Sequence, residues 1–584
     1  MRLPQLTDEY TTREVTAAFS GYNHNLIIAD GEFHDLEGVS LDDYPAIGSR
    51  GPRGKVRPIA DVNGIHAHER LAWVSGTRFY YNGASNTGWT VTDGPKQFAN
   101  MGSFILIWPD AKYYNTVTGE FGALGASFTT TAAVSYALAK GDGTTYTDYH
   151  VGDSAPQPSG DEEDLPNGTL WLDTSATPHV LKQYSAYSAA WVAIPTTYVR
   201  IASAGIGVQF KKYDGVTISG TKNGQFDGSF VLYDVQDDSI VIAGMLDTAF
   251  NQTEAVTIAR TVPEMDFVTE CENRLWGCSS ANHEIYACKL GDPFNWNCFM
   301  GLSTDSYALT IGTDGDFTGA CTYLGYVLFF KEDYIHKVYG NKPANYQAMV
   351  SAVRGVERGS EHSLVINNET LYYKARGGFM RYTGSVPEPI SPQLGDVVYR
   401  NAVAGSFNNK YVVSMEGPEG YELFAYDEAR GAWLRDGSMQ VDCFARLGGD
   451  LYAISGGYLW SFAGNIANYL DANHPPALVY PERFVLDTGN LGLQYPDHRY
   501  VTRLVLRFAL EPAYDGDAPE LTVSTYYDGA TVPARSIHYT GTHRGITALP
   551  IIPERRDQVR IRLEGRGAFR LYAIAKTMET GSEV

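Results

Sequence analysis

The chain repeats one short pattern, a pair of apolar runs on either side of a tight turn. The stretch "GDLYAISGGYLWSFAG" at 449–464 shows the pattern with a Gly-Gly pair at its centre. Four other stretches follow the same plan: "ERLAWVSGTRFYYNG" at 69–83, "NRLWGCSSANHEIYAC" at 273–288, "GYVLFFKEDYIHKVYG" at 325–340 and "ETLYYKARGGFMRYTG" at 369–384. Alternating apolar residues around Gly-bearing turns are typical of β-hairpins. The repeat therefore predicts a chain built from many hairpins.

The spacing of these hairpins predicts how they are arranged. Starts near 273, 325, 369 and 449 are 52, 44 and 80 residues apart, and the last gap holds a further candidate at 408–436. A four-stranded propeller blade takes about 40 to 50 residues. Sixty Gly, 40 Tyr and a charged fraction of 19% also favour strands and turns over helices. We predict an all-β fold with a β-propeller; the alternative is a series of unrelated hairpins in sandwiches.

Two regions depart from the blade pattern. After a further blade hairpin at 98–121 the sequence turns small and polar, and the pattern returns only near 262. This change predicts small β-domains inserted in a propeller loop. After "ANHPPALVY" at 472–480, longer alternating stretches such as "RYVTRLVLRFAL" predict a C-terminal β-sandwich-like domain. The predicted domains are an N-terminal segment with the first blades at 1–121, inserted β-domains at 122–260, further blades at 261–470 and the sandwich at 471–584.

The insertion contains the candidate binding residues of the chain. Trp171, Tyr184 and Trp191 lie on short predicted strands after an acidic, Pro-rich segment that includes "DEED" at 161–164. Three aromatic side chains in a small module are suited to contact a glycan or a protein partner. A module of this size also needs such side chains for its own core. Both interpretations remain open from the sequence.

The charge of the chain argues against a nucleic-acid-binding surface. A formal net charge of −22 argues against a surface that grips nucleic-acid phosphates, although it suits a wall past which DNA slides. Four arginines on the predicted sandwich strands are expected on outward faces, where they form a basic stripe for a partner subunit or a solvated surface: Arg503, Arg507, Arg560 and Arg562.

No catalytic or metal-binding motif of known spacing occurs in the sequence. Asp314 and Asp316 lack the closing Glu of a calcium loop and are expected in a turn. His66 and His68 alternate on one strand but have no third ligand. We therefore predict no enzyme, no metal and no cofactor. A propeller glycosidase is the minority alternative, and Asp266 and Glu270 are the carboxylate pair to test.

Cellular location is inferred from what the chain does not contain. The sequence has neither an N-terminal signal pattern nor an apolar window of about 20 residues. We expect synthesis in the cytoplasm. Six cysteines without a C-x-x-C pair are expected to be buried free thiols.

Several stretches resemble one family of proteins. The segments "FSGYNHNLIIADGEFHDLEGVSLDDYPAIGSRGPRG" at 19–54, 271–299, 325–340 and "FVLDTGNLGLQYPDHRYVTRLVLRF" at 484–508 resemble tail proteins of tailed bacteriophages that infect Gram-positive bacteria. The "NGTLWLDTSATPHVLKQY" unit at 167–184 resembles modules inserted in phage tail components. More distantly, the chain resembles the propeller-bearing hub or nozzle proteins of short-tailed phages. The family offers no catalytic residues.

The resemblance implies a structural protein of the virion tail, made in the bacterial host. Its implied partners are copies of itself in a ring, other tail and connector proteins, and genomic DNA that passes during ejection without sequence-specific binding. The alternative is a receptor-binding or baseplate-type tail protein that contacts host-surface glycans through the insertion. For the segment "GYNHNL" at 21–26, the sequence leaves two roles open, an assembly arm or the strand that closes the propeller.

Overall fold

The computed structural model describes residues 11–158, 165–175, 177–466, 474–491, 499–513, 516–549, 551, 556 and 558–580. Within these residues the chain forms strands and turns and no α-helix. Its four single-turn 3-10 helices are Lys222–Gly224, Pro343–Asn345, Glu361–Ser363 and Pro392–Leu394. The fold is all-β: a β-propeller with an inserted region of small β-domains and a C-terminal β-sandwich-like domain.

Seven sheets in the described part of the chain have the blade pattern, in which three or four successive strands pair in order. Their strands are Val62–His68, Arg70–Ser75 and Arg78–Tyr81; Gln97–Met101, Phe104–Trp108, Lys112–Asn115 and Phe121–Ala123; Phe267–Cys271, Arg274–Ser279, Glu284–Ala287 and Tyr307–Thr310; Phe317–Tyr323, Tyr326–Lys331, Tyr334–Tyr339 and Gln347–Ser351; Val365–Asn367, Thr370–Ala375, Gly378–Tyr382 and Glu388–Pro389; Arg400–Phe407, Lys410–Gly417, Gly420–Asp427 and Ala432–Gly437; Cys443–Leu447, Asp450–Ser455 and Tyr458–Ser461. Every hairpin quoted above lies in one of them.

The turns explain why these segments fold as hairpins. Gly456 and Gly457, with φ of 56° and 74°, form the two-residue turn between the paired residues Ser455 and Tyr458. Two successive positive φ values give the turn whose twist matches that of the flanking strands. Asn408 and Asn409 do the same with φ of 47° and 59°. Asparagine thus replaces glycine in a turn of the same geometry.

The chain divides into two compact units. The first comprises Met1–Lys96, Phe330–Ile335 and Val350–Val584, and the second Gln97–Phe329 and His336–Met349. In the first unit, neighbouring blades share apolar cores, such as the one that joins Val56, Ile65 and Trp73 to Tyr452 and Leu459.

The C-terminal sandwich of the first unit consists of two sheets. One holds Val39–Ser40, Ile47–Ser49, Ala568–Thr580, Arg499–Glu511, His543–Leu549 and Thr11–Thr16; the other holds Asp35–Glu37, Phe484–Asp487, Val559–Arg566, Glu520–Tyr527 and Arg535–Thr540. Alternate residues face inward, so that Leu504, Leu506 and Phe508 pack against Leu521 and Leu563 in one buried core. Four of the eleven strands come from the first 50 residues of the chain.

Residues 11–58, which we call the N-terminal clasp, are shared between this sandwich and two blades. Gly21–Tyr22 pairs with Trp433 and with Glu32–Phe33 at the edge of one blade. Arg53–Pro58 pairs with Tyr458–Ser461 and with Ala477–Val479. The closing strand of the last blade is therefore Arg53–Pro58, and "GYNHNL" instead extends the preceding blade. The early residues belong to three structures rather than to a separate arm.

In the second unit the inserted strands form two sheets around one core. The larger holds Ala126–Thr129, Thr257–Arg260, Gly215–Ser219, Gly228–Gln236, Ser239–Ala243, Tyr198–Ala202, Val134–Ala139 and Phe250–Gln252. The smaller, which we call the aromatic module, holds His150–Gly152, Leu170–Asp173, Val180–Ser185 and Ala190–Ala193. Leu172 and Leu181 of the module lie in the same buried core as Val134 and Ile240 of the larger sheet.

Candidate functional site

The three predicted aromatic residues lie together on one face of the aromatic module. Ring centroids of Trp171 and Trp191 are 5.4 Å apart, as are those of Tyr184 and Trp191. The period of two along a strand puts Trp171 and Tyr184 on the face opposite Leu172 and Leu181. The Trp171 indole donates a hydrogen bond of 3.0 Å to the Gly152 carbonyl, which ties the neighbouring strand to the cluster.

A charged pair completes this face. Lys182 is paired across the strands with Trp171, and its Nζ lies 4.8 Å from the indole centroid and 2.7 Å from Asp173 Oδ2. The hydrogen bond from Lys182, followed by those from Ser175, lowers the pKa of Asp173 to about 2. Sequence reasoning missed Lys182 and Asp173, although each lies two residues from a predicted aromatic and therefore on the same face.

Burial separates the roles of the aromatic side chains. Trp171 and Tyr184 are 6% and 9% exposed, so they form the small core of this face. Trp191 is half-buried, and Tyr187 at the tip of the adjoining hairpin is fully exposed. A ligand on this face would contact Trp191 rather than all three predicted residues.

The carboxylate pair chosen for a glycosidase test does not have the required arrangement. Asp266 accepts a hydrogen bond from the Ser280 amide, 14 residues away, and Glu270 accepts one from the Asn273 amide in its own turn, so each has a structural role. Four residues along an extended strand separate the two by roughly 13 Å. Glycosidase carboxyls lie about 5 to 9.5 Å apart. Asp266 and Glu270 are therefore not a catalytic pair of this kind.

The other motifs have structural positions. Asp314 and Asp316 lie in the loop between Tyr307–Thr310 and Phe317–Tyr323, as predicted. His66 and His68 lie on Val62–His68. Among the described residues, no group of three or more His, Cys, Asp or Glu could hold a metal ion. The same part of the chain has no helix long and apolar enough to cross a membrane. "DEED" at 161–164 lies outside the described residues.

All six cysteines are free thiols, and four are buried: Cys271, Cys278, Cys288 and Cys298. Cys321 and Cys443 are half-buried as residues, and burial raises the pKa of both thiols. Burial raises the pKa of Cys271 to about 11 and that of Cys288 to about 12.

The predicted basic stripe is divided between the two sheets of the sandwich. Arg503 and Arg507 lie exposed on Arg499–Glu511. Arg562 is instead paired with Asp487 at 3.3 Å and Asp35 at 3.7 Å, and Arg560 lies 4.2 Å from the Tyr526 ring centroid. Arg560 and Arg562 also face away from the sandwich core, because their neighbours Ile561 and Leu563 lie in it. They lie on the other sheet, however, so they do not form one stripe with Arg503 and Arg507.

No protein-family model matches the chain, and no curated protein matches it. Solved structures show low similarity. An exo-β-1,3-galactanase from Phanerochaete chrysosporium with galactose is 10% identical, over 53% of this chain and 94% of that one, at a TM-score of 0.20. PorZ, a bacterial surface component of the type-IX secretion system of Porphyromonas gingivalis, is 11% identical over 84% of this chain and 71% of that one, at a TM-score of 0.26. The endosialidase of phage phi92 is 8% identical over 75% of this chain and 64% of that one, at a TM-score of 0.18.

These similarities correct one prediction. Sequence analysis predicted that the chain is not an enzyme, and that prediction is wrong as stated because glycan-cleaving enzymes are among the similar structures. With TM-scores of 0.20 and 0.18, these two similarities carry no argument for a substrate, a reaction or a set of catalytic residues.

Proposed function

We propose that this protein is a structural component of a bacteriophage tail. In this proposal several copies form a hub or nozzle ring that is part of the DNA-ejection channel, in contact with other tail and connector proteins. The resemblance of residues 19–54 and 484–508 to tail proteins of phages that infect Gram-positive bacteria supports the proposal. The protein is made in the host cytoplasm and resides in the virion tail.

The observation that carries the proposal is the position of the N-terminal clasp. Leu36 pairs with Leu486, and Ile47 pairs with Leu571, so the clasp supplies strands to both sheets of the sandwich. The segment that carries the resemblance, residues 19–54, makes up 36 of the 48 residues of this clasp. A chain whose blades and sandwich share strands resists separation under force, because many backbone hydrogen bonds must break together.

Ion pairs reinforce the clasp on both sides. Arg435 of a blade lies 2.6 Å from Glu422 and 3.1 Å from Asp35 of the clasp, and Glu37 lies 2.6 Å from Arg483. Arg50 and Arg53 both pair with Asp436. Such ion pairs hold the clasp to the blades, which suits a tail component that stays rigid while DNA passes. The net charge of −22 gives DNA little to adhere to.

Cryo-electron microscopy of the particle that contains this chain tests the proposal. We expect the seven blade sheets and the sandwich to fit tail density as a closed ring of several copies around the DNA path. Density at the periphery of the tail, or a particle without the chain, would contradict it.

A second candidate is a tail protein that binds host-surface glycans through the aromatic module. The exposed Tyr187 and the half-buried Trp191 favour it, because a flat aromatic surface is what a sugar ring packs against. In this case the module points away from the DNA path.

The two aromatic positions allow a matched test. Trp191→Ala should abolish attachment of otherwise complete particles to host cells, with thermal unfolding of the module close to wild type. Trp171→Ala is the control that unfolds the module. Normal attachment of Trp191→Ala particles would rule out this site.

A further inference from the structure

One face of the C-terminal sandwich carries exposed apolar side chains, among them Val15 at 56% and Ile546 at 62%. It is the outer face of four paired strands: Thr11–Thr16, Ala568–Thr580, Arg499–Glu511 and His543–Leu549. We call it the arginine face. The strand register places Val15 opposite Ala575, Ala575 opposite Val505, and Val505 opposite Ala548. A row of small apolar side chains therefore crosses the middle of the face; Val15 and Ala548 at its ends are exposed, and Ala575 between them is buried.

Arginines flank this apolar row on both sides. On one side, Arg13 and Arg503 both oppose Thr577. On the other side, Arg507 opposes Ile546, whose side chain is 62% exposed. All three arginines are exposed.

The charges of these arginines are not neutralised within the described chain. No ion pair of Arg13, Arg503 or Arg507 occurs among the described residues, in contrast to Arg544 on the same face, which pairs with Glu511. Arginine is enriched in protein–protein interfaces relative to the rest of the surface, whereas Lys, Asp and Glu are depleted there. Surfaces that bind nucleic acid instead line up cationic and polar groups along phosphates.

The distribution of charge identifies the partner. Residues 499–584 contain 12 Lys and Arg against 10 Asp and Glu, a net charge of +2. The whole chain contains 45 against 67, which leaves 33 against 57, or −24, for residues 1–498. Residues 1–498 of a second copy therefore carry a net negative charge, opposite in sign to the arginine face.

We propose that the arginine face binds the acidic N-terminal part of a second copy of this chain. The inference rests on the proposed function, since it names the face through which copies of the ring meet. Contact between two different surfaces is heterologous, and such contacts generate rings when the rotation closes. The attraction is electrostatic and steers association, so it weakens as salt is added.

Sedimentation velocity of the full chain tests the proposal with a charge-reversed variant, Arg13→Glu/Arg503→Glu/Arg507→Glu. At about 0.15 M salt we expect wild type to self-associate and the variant to associate at least tenfold more weakly. At about 1 M salt, where the Debye length is about 3 Å, wild type should dissociate as well. Arg535→Glu is the matched control, because Arg535 is exposed on the other sheet of the same sandwich. Equal unfolding midpoints for all three proteins show that folding is unchanged.

A monomeric wild type at every concentration, or a variant that associates as wild type does, would overturn the proposal. Binding of a DNA duplex by wild type but not by the variant, without self-association, would overturn it in favour of a nucleic-acid partner. Association through another face would refute the arginine face and leave the proposed ring intact. If the variant fails to associate but the chain is absent from the phage tail, the arginine face is supported and the proposed ring is refuted.

Discussion

The N-terminal clasp and the aromatic module are built in opposite ways. In the clasp, Asp30 and Lys576 are 546 residues apart in sequence and 2.9 Å apart in the structure. In the module, Trp171 and Trp191 belong to one contiguous segment of the chain, and its strands follow one another in sequence order. The clasp region therefore folds only when distant parts of the chain meet, whereas the module forms from local pairing.

This difference predicts how damage spreads. A change in the clasp removes support from the sandwich and from two blades at once, because all three share its strands. A change in the module affects its own strands and the core that Leu172 and Leu181 share with the larger inserted sheet. Hydrogen exchange detects this contrast, because it reports protection strand by strand.

The largest effect is expected for Phe33→Ala. Phe33 is 1% exposed and lies in the same core as Phe19 and Leu486. Removal of a buried phenyl ring costs about 4 kcal/mol of unfolding free energy. Hydrogen exchange should show lost protection in Phe484–Asp487 and Ala568–Thr580, with the module unchanged. Leu26→Ala, at a clasp position 78% exposed, is the control and should match wild type.

Trp171→Ala should produce the opposite pattern. The substitution removes a buried indole and its hydrogen bond to Gly152, at a cost of about 3 kcal/mol. We expect protection to fall in Val180–Ser185 and Ala190–Ala193 while the sandwich strands keep theirs. Loss of protection in the sandwich would show that the module is not locally stabilised and would remove the contrast between the two regions.

A smaller, pH-dependent effect is expected for Asp173→Asn. Because the pKa of Asp173 is lowered to about 2 in the folded protein, from an ordinary value of 3.8, its contribution to stability is complete above about pH 4. That contribution is lost as the pH falls from about 4 to about 2. In this window the thermal midpoint of the module should fall more steeply in wild type than in Asp173→Asn. Equal slopes would refute a structural role for the pair with Lys182.

The smallest effect concerns thiols that lie in neither region. Because burial raises the pKa of Cys271 to about 11 and that of Cys288 to about 12, both should resist iodoacetamide at neutral pH. Mass spectrometry should find them unlabelled in the native protein and labelled in urea. Fast labelling of either thiol in Phe33→Ala would mean that damage to the clasp reaches blades of the second unit.

The sequence pattern predicted the hairpins, because their two strands are adjacent in the sequence. Alternation and Gly-bearing turns located the blade hairpins, including the one around Gly456 and Gly457. Asn408 and Asn409 form a turn of the same geometry, but their residue types alone did not reveal it. The assignment of the clasp could not be predicted, since the pairing of Leu36 with Leu486 leaves no periodic signal in either segment.

The sequence predicted which aromatic residues form the candidate site but not which of their side chains are exposed. Sequence analysis named Trp171, Tyr184 and Trp191 but missed Asp173 and Lys182, although a spacing of two puts Asp173 on the face of Trp171 and Lys182 on the face of Tyr184. Which face meets the larger sheet depends on Leu172 and Leu181 fitting a core formed by other strands. The same limit explains Arg560 and Arg562, because the sequence does not show that Asp487 and Asp35 lie beside them.

The position of the clasp also constrains the order of events during synthesis. Thr11–Thr16 pairs with Ala568–Thr580, which the ribosome produces much later. At about 5 to 20 residues per second, the early strands wait roughly half a minute to two minutes for their partners. During that time Phe19, Phe33 and Leu36 lack their final core. The nascent chain is thus a natural client for a chaperone, and a truncated product would be prone to aggregate.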